Sequence, residues 1–451
     1  MSPTYCGIDF GTTNSSLAIC TDSKTTVIPI DRQNPNSKVL ESLIYINPLQ
    51  EIAVGHNAIN RYLTDLNNLP TVPLREEFTG RMIKTFGPSG YSGAGPVIFV
   101  PEIVEVDDSG RGRLLQSLKS VLTSSVFTGS NIFGKFYSLE DLLTLLLKEI
   151  KTRAEVEISH KLTSAVIGRP VKYVGTSKNK IALDRMQTIA KNAGFKEVQF
   201  EYEPVGAALD YGITSSSSQK ILVYDFGGGT LDICIMELPS SKILSVAGRS
   251  LGGDLLDSHL ALLKLAPHFG LNSLINGKMP FPRYLFSTFQ SWYMATLQKT
   301  VKNHDTLEEL AVKSSQPNKV RNLIALIFHD YGFDFFQTLD LSKISLSTNS
   351  QTNFLFNRPK LSISENITKS DFETSIAPDL ETSQECINEA LKLANLKPNQ
   401  INKVILTGGS SQVPAFIHQL SEIFSTDKLI NSNHFTSVAS GLAIRVEQLF
   451  S

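Results

Sequence analysis

The 451-residue sequence has almost no net charge: 42 Lys and Arg against 43 Asp and Glu leave −1. A broad nucleic-acid or anionic-membrane surface needs clustered excess cation, so neither partner is expected. No apolar run reaches the ~18–20 residues that span a bilayer, and no basic-then-apolar leader opens the chain. The four cysteines, Cys6, Cys20, Cys234 and Cys386, show no C-x-x-C spacing. With no accompanying His pattern, zinc ligation of the usual spacing is excluded. Cys6 and Cys20 could face each other across a hairpin, but small buried hydrophobes in a reducing cytosol is the better reading. Neither G-x-x-x-x-G-K-[ST] nor a strand-borne G-x-G-x-x-G occurs, which removes the two commonest phosphate-binding loops. A hydrophobic fraction of 41% with 19% charge is ordinary globular composition and excludes a disordered or fibrous chain.

The segment Tyr5–Cys20 reads as strand, tight turn, strand around Gly11-Thr12-Thr13-Asn14. A loop-rich stretch from about 30 to 136, with Gly87–Pro96 as its least regular part, reads as an insert. Ser138 with Asp141 three residues on is a helix start, followed by Leu142, Leu143, Leu146, Leu147 and Ile150 at helical spacing. A strand over 164–170, a helix over 181–193 stopped by Gly194, a strand over 195–201 and a helix from Glu203 follow. The polar tract Thr214–Ser218 separates the halves. Strand–turn–strand then recurs over 221–236, and an irregular insert rich in Phe and helix-like pieces fills 250–370. A helix over 382–394, a strand over 403–407, and helices over 414–423 and 437–449 complete the chain.

Asp9-Phe10-Gly11 and Asp225-Phe226-Gly227 each open one of these strand–turn–strand units. The economical explanation is a duplicated α/β architecture with a cleft between its halves, where small ligands bind. Glycine turns expose consecutive backbone N–H groups as nests for phosphate oxygens. Gly227-Gly228-Gly229 supplies one nest and Gly11-Thr12-Thr13 another, with hydroxyls as further donors. Asp9 and Asp225 precede these nests, and a carboxylate beside phosphate needs a cation between them; Mg²⁺ fits that requirement.

The motifs Asp9–Asn14, Asp225–Asp232 and Leu406-Thr407-Gly408-Gly409-Ser410-Ser411-Gln412-Val413-Pro414, in this order, resemble the phosphate and adenosine motifs of the actin/Hsp70/sugar-kinase ATPase fold. Within it the sequence resembles the Hsp70 nucleotide-binding domain, closest to the short YegD-like bacterial relatives. Glu203-Pro204-Val205-Gly206-Ala207-Ala208 and Leu251-Gly252-Gly253-Asp254 fit the same pattern. The resemblance implies a ribonuclease H-like, actin-like fold. One lobe spans 1–218, with core 1–37 and 137–218 and an insert over 38–136. The other spans 219–451, with core 219–249 and 371–451 and an insert over 250–370. It implies ATP or ADP and Mg²⁺ as ligands. Asp9 and Asp225 would position the metal through its waters, and Glu203 would orient the attacking water or that metal network. Lys84 would stabilise the γ-phosphate, with Arg81 a nearby competitor. Thr12, Thr13 and Gly227, Gly228, Gly229 and Thr230 would hold β- and γ-phosphates. Gly252, Gly253 and Asp254 would complete the site, with Asp340, Lys343, Ser347, Gly408, Gly409 and Ser410 around the nucleoside. Asp232 would support the second turn.

Departures accompany the resemblance. Ile344 and Gln412 stand where the family sandwiches adenine between two Arg, an expected Asp falls near Phe435, and Asn14 replaces an aromatic. The expected outcome is an intact phosphate grip with altered base recognition. The sequence ends at Ser451 with no substrate-binding β-sandwich, so a chaperone role would require a protein partner, client or co-chaperone. The expectation is a slow cytoplasmic ATPase switch; a small-molecule kinase and an actin-like scaffold or filament are the alternatives.

Overall fold

The strands that carry the two Asp-Phe-Gly motifs each sit third in a five-strand path, and the two paths have the same order and sense. The computed structural model describes residues 5–21, 24–72, 74–86, 97–106, 108–124, 127–173, 179–212, 218–432 and 436–450. The first path comprises β1 (Tyr5–Phe10), β2 (Asn14–Thr21), β3 (Lys24–Val27), β4 (Ser164–Arg169) and β5 (Glu197–Tyr202), in spatial order β3-β2-β1-β4-β5. The second comprises β6 (Gln219–Phe226), β7 (Leu231–Leu238), β8 (Lys242–Arg249), β9 (Lys403–Thr407) and β10 (Leu429–Asn431), in order β8-β7-β6-β9-β10. In each, the first three strands are an antiparallel meander and the last two run parallel to the motif strand. The short strand Leu40–Glu41 adds to β2.

Their apolar runs are those of strands buried on both faces: Ile221, Leu222, Val223 and Tyr224 of β6 are fully buried, as are Ile8 and Phe10 of β1. Helix Ser437–Phe450 packs on β1 and β2, helix Glu203–Gly212 packs on β6 and β7, and the two helices pack on each other. Small residues permit this crossing. A Cβ on Gly441 would fall 1.6 Å from the Gly206 carbonyl oxygen, and one on Gly7 would fall 2.2 Å from the Ala443 nitrogen. Val166, Val205, Ala208, Val223, Val438 and Leu442 form the core this layer shares.

The helix capped by Ser138 spans Leu139–Ile158 with its Ser138/Asp141 capping box formed, and Gly194 ends the next helix region at φ 92°. The helix expected over 382–394 begins earlier, as Ala377–Leu393, because Pro378 and Asp379 in its first turn suit a helix start. The helix-like pieces expected within 250–370 include helices Val301–Lys313, Pro317–Phe328 and Gly332–Leu346. Phe269, Phe289, Phe335 and Phe354 fill their core. The first insert holds helix His56–Asn68 and a long hairpin of Arg75–Phe86 with Val97–Val106. The Gly87–Pro96 loop, most of the polar tract over 214–218, and Phe435 lie outside the described residues. None of the four cysteines is in a disulfide; Cys6 Sγ donates to the Ser164 carbonyl at 3.8 Å and Cys20 Sγ to Glu447 at 3.4 Å. No described helix is long and apolar enough to cross a membrane.

Candidate functional site

Parallel strands end in loops at one edge of a sheet, and ligands of such sheets bind at the carboxyl ends of the strands. The carboxyl ends of β1, β4, β5, β6 and β9 converge here on one cavity of about 110 Å³. Asp9 enters from β1, Pro170 and Tyr173 from beyond β4, Glu203 from the end of β5, Asp225 from β6, and Gly408 and Gly409 from beyond β9. Gly11, Thr12, Thr13 and Asn14 from the first turn, and Gly227, Gly228, Gly229 and Thr230 from the second, complete it with Lys119, Ser120 and Val438.

The two turns meet closely. A Cβ on Gly228 would stand 2.2 Å from Thr13 Oγ1, and one on Gly11 would stand 2.1 Å from the Asn14 carbonyl oxygen. Gly408 needs its lack of a side chain for a second reason: it holds φ 78°, with Phe226 backbone against the missing Cβ. Ser42 fastens the first turn, its N–H donating to the Thr13 carbonyl at 2.8 Å and its hydroxyl to Gly11 at 2.9 Å. The second turn is braced from behind. The N–H groups of Gly253 and Asp254 donate to the Gly227 and Gly228 carbonyls at 3.0 Å each, and Ser410 Oγ donates to Gly227 at 2.9 Å. Gly252, Gly253, Asp254 and Ser410 thus back the turn and do not line the cavity among its described residues. Asp340, Lys343 and Ser347 stand further back, on and at the end of helix Gly332–Leu346. Lys343 pairs with Asp257 at 2.9 Å and Asp340 at 2.8 Å. Of the two residues at altered positions, Ile344 is 57% exposed, and Gln412 donates to Ser411 Oγ at 3.1 Å.

Lys84 is not brought to the cavity. Lys84 lies exposed on the hairpin, paired across strands with Phe99 in a two-stranded sheet, and is not among the cavity's lining residues. The hairpin that carries it pairs with neither sheet. Arg81 lies in the same strand. Among the described residues the cation that lines the cavity is Lys119, in the short 3₁₀ segment Leu118–Val121. Its Nζ donates to Glu203 Oε1 at 2.7 Å, and the residue is 7% exposed. Sequence reasoning missed it. The available signal was a cation set between Leu118 and Val121-Leu122, in an apolar stretch that must be buried.

Electrostatically the site is short of positive charge. Burial, then the neighbouring Glu203 carboxylate, pushes the Asp9 carboxyl up to about 7 against the pull of Lys119. Burial, then Glu203, Asp232 and Asp9, hold the Asp225 carboxyl well above the usual carboxylate range. Asp232 is pushed up to about 7 by burial and Glu203, although it accepts from the Val171 N–H at 2.8 Å. Burial opposes the charge on Lys119, but Glu203, Tyr173 and Asp9 raise its pKa overall, so it stays an ammonium. Four carboxyl groups around one ammonium, beside two glycine turns, suit a hard divalent cation and phosphate together. Among the described residues no group of three or more His, Cys, Asp or Glu is placed to ligate a metal directly. Asp9, Asp225 and Glu203 are the lining carboxyl groups that could hold a divalent cation.

The sequence profile of a family described as "Hsp70 protein" matches residues 117–272 and 337–450. The chain belongs to the Hsp70 family. The first matched segment contains Lys119, Glu203 and the second turn, whereas Lys84 lies outside both. The "Chaperone protein DnaK" of Mycoplasma mobile is 24% identical over 97% of this chain. This Hsp70 chain spans 57% of that relative's length.

Proposed function

We propose that this Hsp70-family chain binds ATP and ADP with Mg²⁺ in the cavity between its two sheets and hydrolyses ATP slowly. In this reading the sheets are the cores of two duplicated lobes, divided at 218/219, each carrying an inserted subdomain. The bound nucleotide sets how the lobes close, and that closure is read by a protein client or co-chaperone in the cytoplasm. The observation that carries the reading is the convergence of Asp9, Lys119, Glu203 and Asp225 with both glycine turns on one cavity.

The chain's own residues divide the work. Thr12, Thr13 and the 227–230 turn hold the β- and γ-phosphates. Lys119, kept charged by its carboxylate neighbours, offers its ammonium to the charge that develops on the γ-phosphate. The Glu203 carboxylate, held in place by Lys119, orients a water for in-line attack. Asp9 and Asp225 orient the metal's water shell, and Mg²⁺ when bound neutralises phosphate charge. Phosphoryl transfer asks a protein chiefly for positioning and electrostatics, and this set supplies both. Equilibrium binding of MgATP, with Asp225→Ala as the comparison, tests the reading. Micromolar binding lost in the variant supports it; no binding by the unaltered chain overturns it.

A further inference from the structure

The chain has one tryptophan, Trp292, and it is buried at the start of helix Trp292–Leu297 in the second insert. An indole N–H can only donate, and this one donates to Gln116 Oε1 in the first insert. Gln116 stands three residues before Lys119. Around that bond the two inserts share an apolar core, with Trp292 and Phe333 from the second against Tyr45, Tyr62 and Leu114 from the first. The Phe333 ring meets Tyr62 edge-on at 5.7 Å and Trp292 edge-on at 5.6 Å. An ionic knot completes the contact. Asp330 accepts from Arg111 at 3.0 Å and from Lys299 at 2.9 Å, and its carbonyl accepts from the Tyr62 hydroxyl at 3.2 Å. Strand Arg113–Leu115 is thus held from the second insert on both sides, by Asp330 through Arg111 and by Trp292 through Gln116.

Between Gln116 and Lys119 the chain turns sharply. Ser117 holds φ 54°, the left-handed region that is costly for a residue with a Cβ. Such a conformation persists where its surroundings fix it. On the far side the Ser120 hydroxyl donates to the Ser117 carbonyl at 2.6 Å, and Leu118 and Leu122 are buried in the core beneath the first sheet. On the near side stands Gln116, with Trp292 as its donor. A lysine ammonium rides on a flexible four-carbon stem, so its defined approach to Glu203 at 2.7 Å depends on the backbone that carries it.

We propose that Trp292, acting through Gln116, is a positioning residue for Lys119, so that contact between the two inserts sets the ammonium against Glu203 in the glycine-lined cavity. The effect on catalysis rests on the nucleotide reading above; the placement of the ammonium does not.

The test pairs two readouts on the full chain, with Trp292→Phe and Gln116→Leu as variants that keep the core filled and are checked by their melting curves. The first is brief acetic anhydride labelling without nucleotide, read by peptide mass, with Lys151, paired with Glu155 at 2.6 Å on helix Leu139–Ile158, as the internal control. Lys119 is expected to label at least threefold faster in both variants while Lys151 is unchanged. The second is single-turnover MgATP hydrolysis beside MgADP affinity. The rate is expected to fall about tenfold or more in Trp292→Phe, since a misplacement of ~1 Å can cost ~10²-fold, with MgADP affinity within twofold of the unaltered chain. In a Lys119→Ala background Trp292→Phe should cause no further loss, whereas a merely structural role would add its own. Unchanged Lys119 labelling in both variants overturns the proposal, as does a Trp292→Phe loss that persists in the Lys119→Ala background. Faster labelling in a chain that neither binds nor hydrolyses MgATP supports the positioning and removes the nucleotide reading instead.

Discussion

Lys119 Nζ donates to Glu203 Oε1 at 2.7 Å across 84 residues of sequence, and the pair is the charged centre of the cavity. Both side chains are mostly buried, at 6% and 13% exposure, so the contact is not a screened surface pair. If the ammonium serves the γ-phosphate, Lys119→Ala lowers single-turnover ATP hydrolysis by about 10²–10³-fold, the range for loss of one positioned donor. Lys84→Ala, on the exposed hairpin, leaves the rate unchanged. Loss of activity in Lys84→Ala with activity kept in Lys119→Ala would reverse the assignment.

The crowding of Asp9, Glu203, Asp225 and Asp232 makes stability depend on pH. Asp9 and Asp232 titrate near 7 in the folded chain and near 3.8 unfolded. A carboxyl raised on folding contributes stability that is complete below the unfolded value and is lost as pH rises through the folded one. The metal-free chain therefore melts at a lower temperature at pH 8 than at pH 5.5, on account of these groups. Asp225→Asn removes one repelling charge and raises the pH 8 melting temperature without Mg²⁺, while weakening MgATP binding. A variant that melts lower than the unaltered chain at pH 8 would show that the carboxylates are not in strain.

The crossing of the two central helices should resist any enlargement. A Cβ on Gly441 would fall 1.6 Å from the Gly206 carbonyl, against backbone that cannot swing aside. Gly441→Ala is expected to cost about 1–3 kcal/mol or more of unfolding free energy, as overpacked cores do. Urea denaturation measures it, and a change under about 0.5 kcal/mol would mean that the helices cross more loosely than described.

The approach of the two glycine turns is tested by Gly228→Ala. The added methyl would stand 2.2 Å from Thr13 Oγ1, so it forces the turns apart where phosphates are to be gripped. Nucleotide affinity should fall at least tenfold with little change in melting temperature. Adding Thr13→Ala should recover part of the loss by removing the obstructing atom, and no recovery would place the damage elsewhere in the turn.

Much of the site was legible in the sequence because strand and turn chemistry is local. Asp9 and Asp225 precede glycine turns that the residues themselves dictate, and both turns lie where the paired Asp-Phe-Gly motifs put them. Glu203, between a strand and a Pro-bearing helix start, was legible for the same reason. Lys119 was not, because a lysine within an apolar stretch signals burial but not that its short segment meets the end of β5, a tertiary event. Lys84 was named through the family resemblance, and it lies exposed on a hairpin that does not line the cavity. The bracing roles of Gly252, Gly253 and Ser410 were likewise hidden: glycine and serine next to a phosphate turn read alike whether they touch ligand or hold the turn from behind. The helices over 301–346 were legible only as helix-like pieces, because the core their Phe residues share exists only after folding.

The most direct test of the central claim is single-turnover hydrolysis of MgATP by the unaltered chain beside Lys119→Ala and Glu203→Ala, with MgATP affinity measured on the same samples. The account predicts slow hydrolysis by the unaltered chain, loss of about 10²-fold or more in each variant, and nucleotide binding retained in both. Hydrolysis unaffected by either substitution would contradict it.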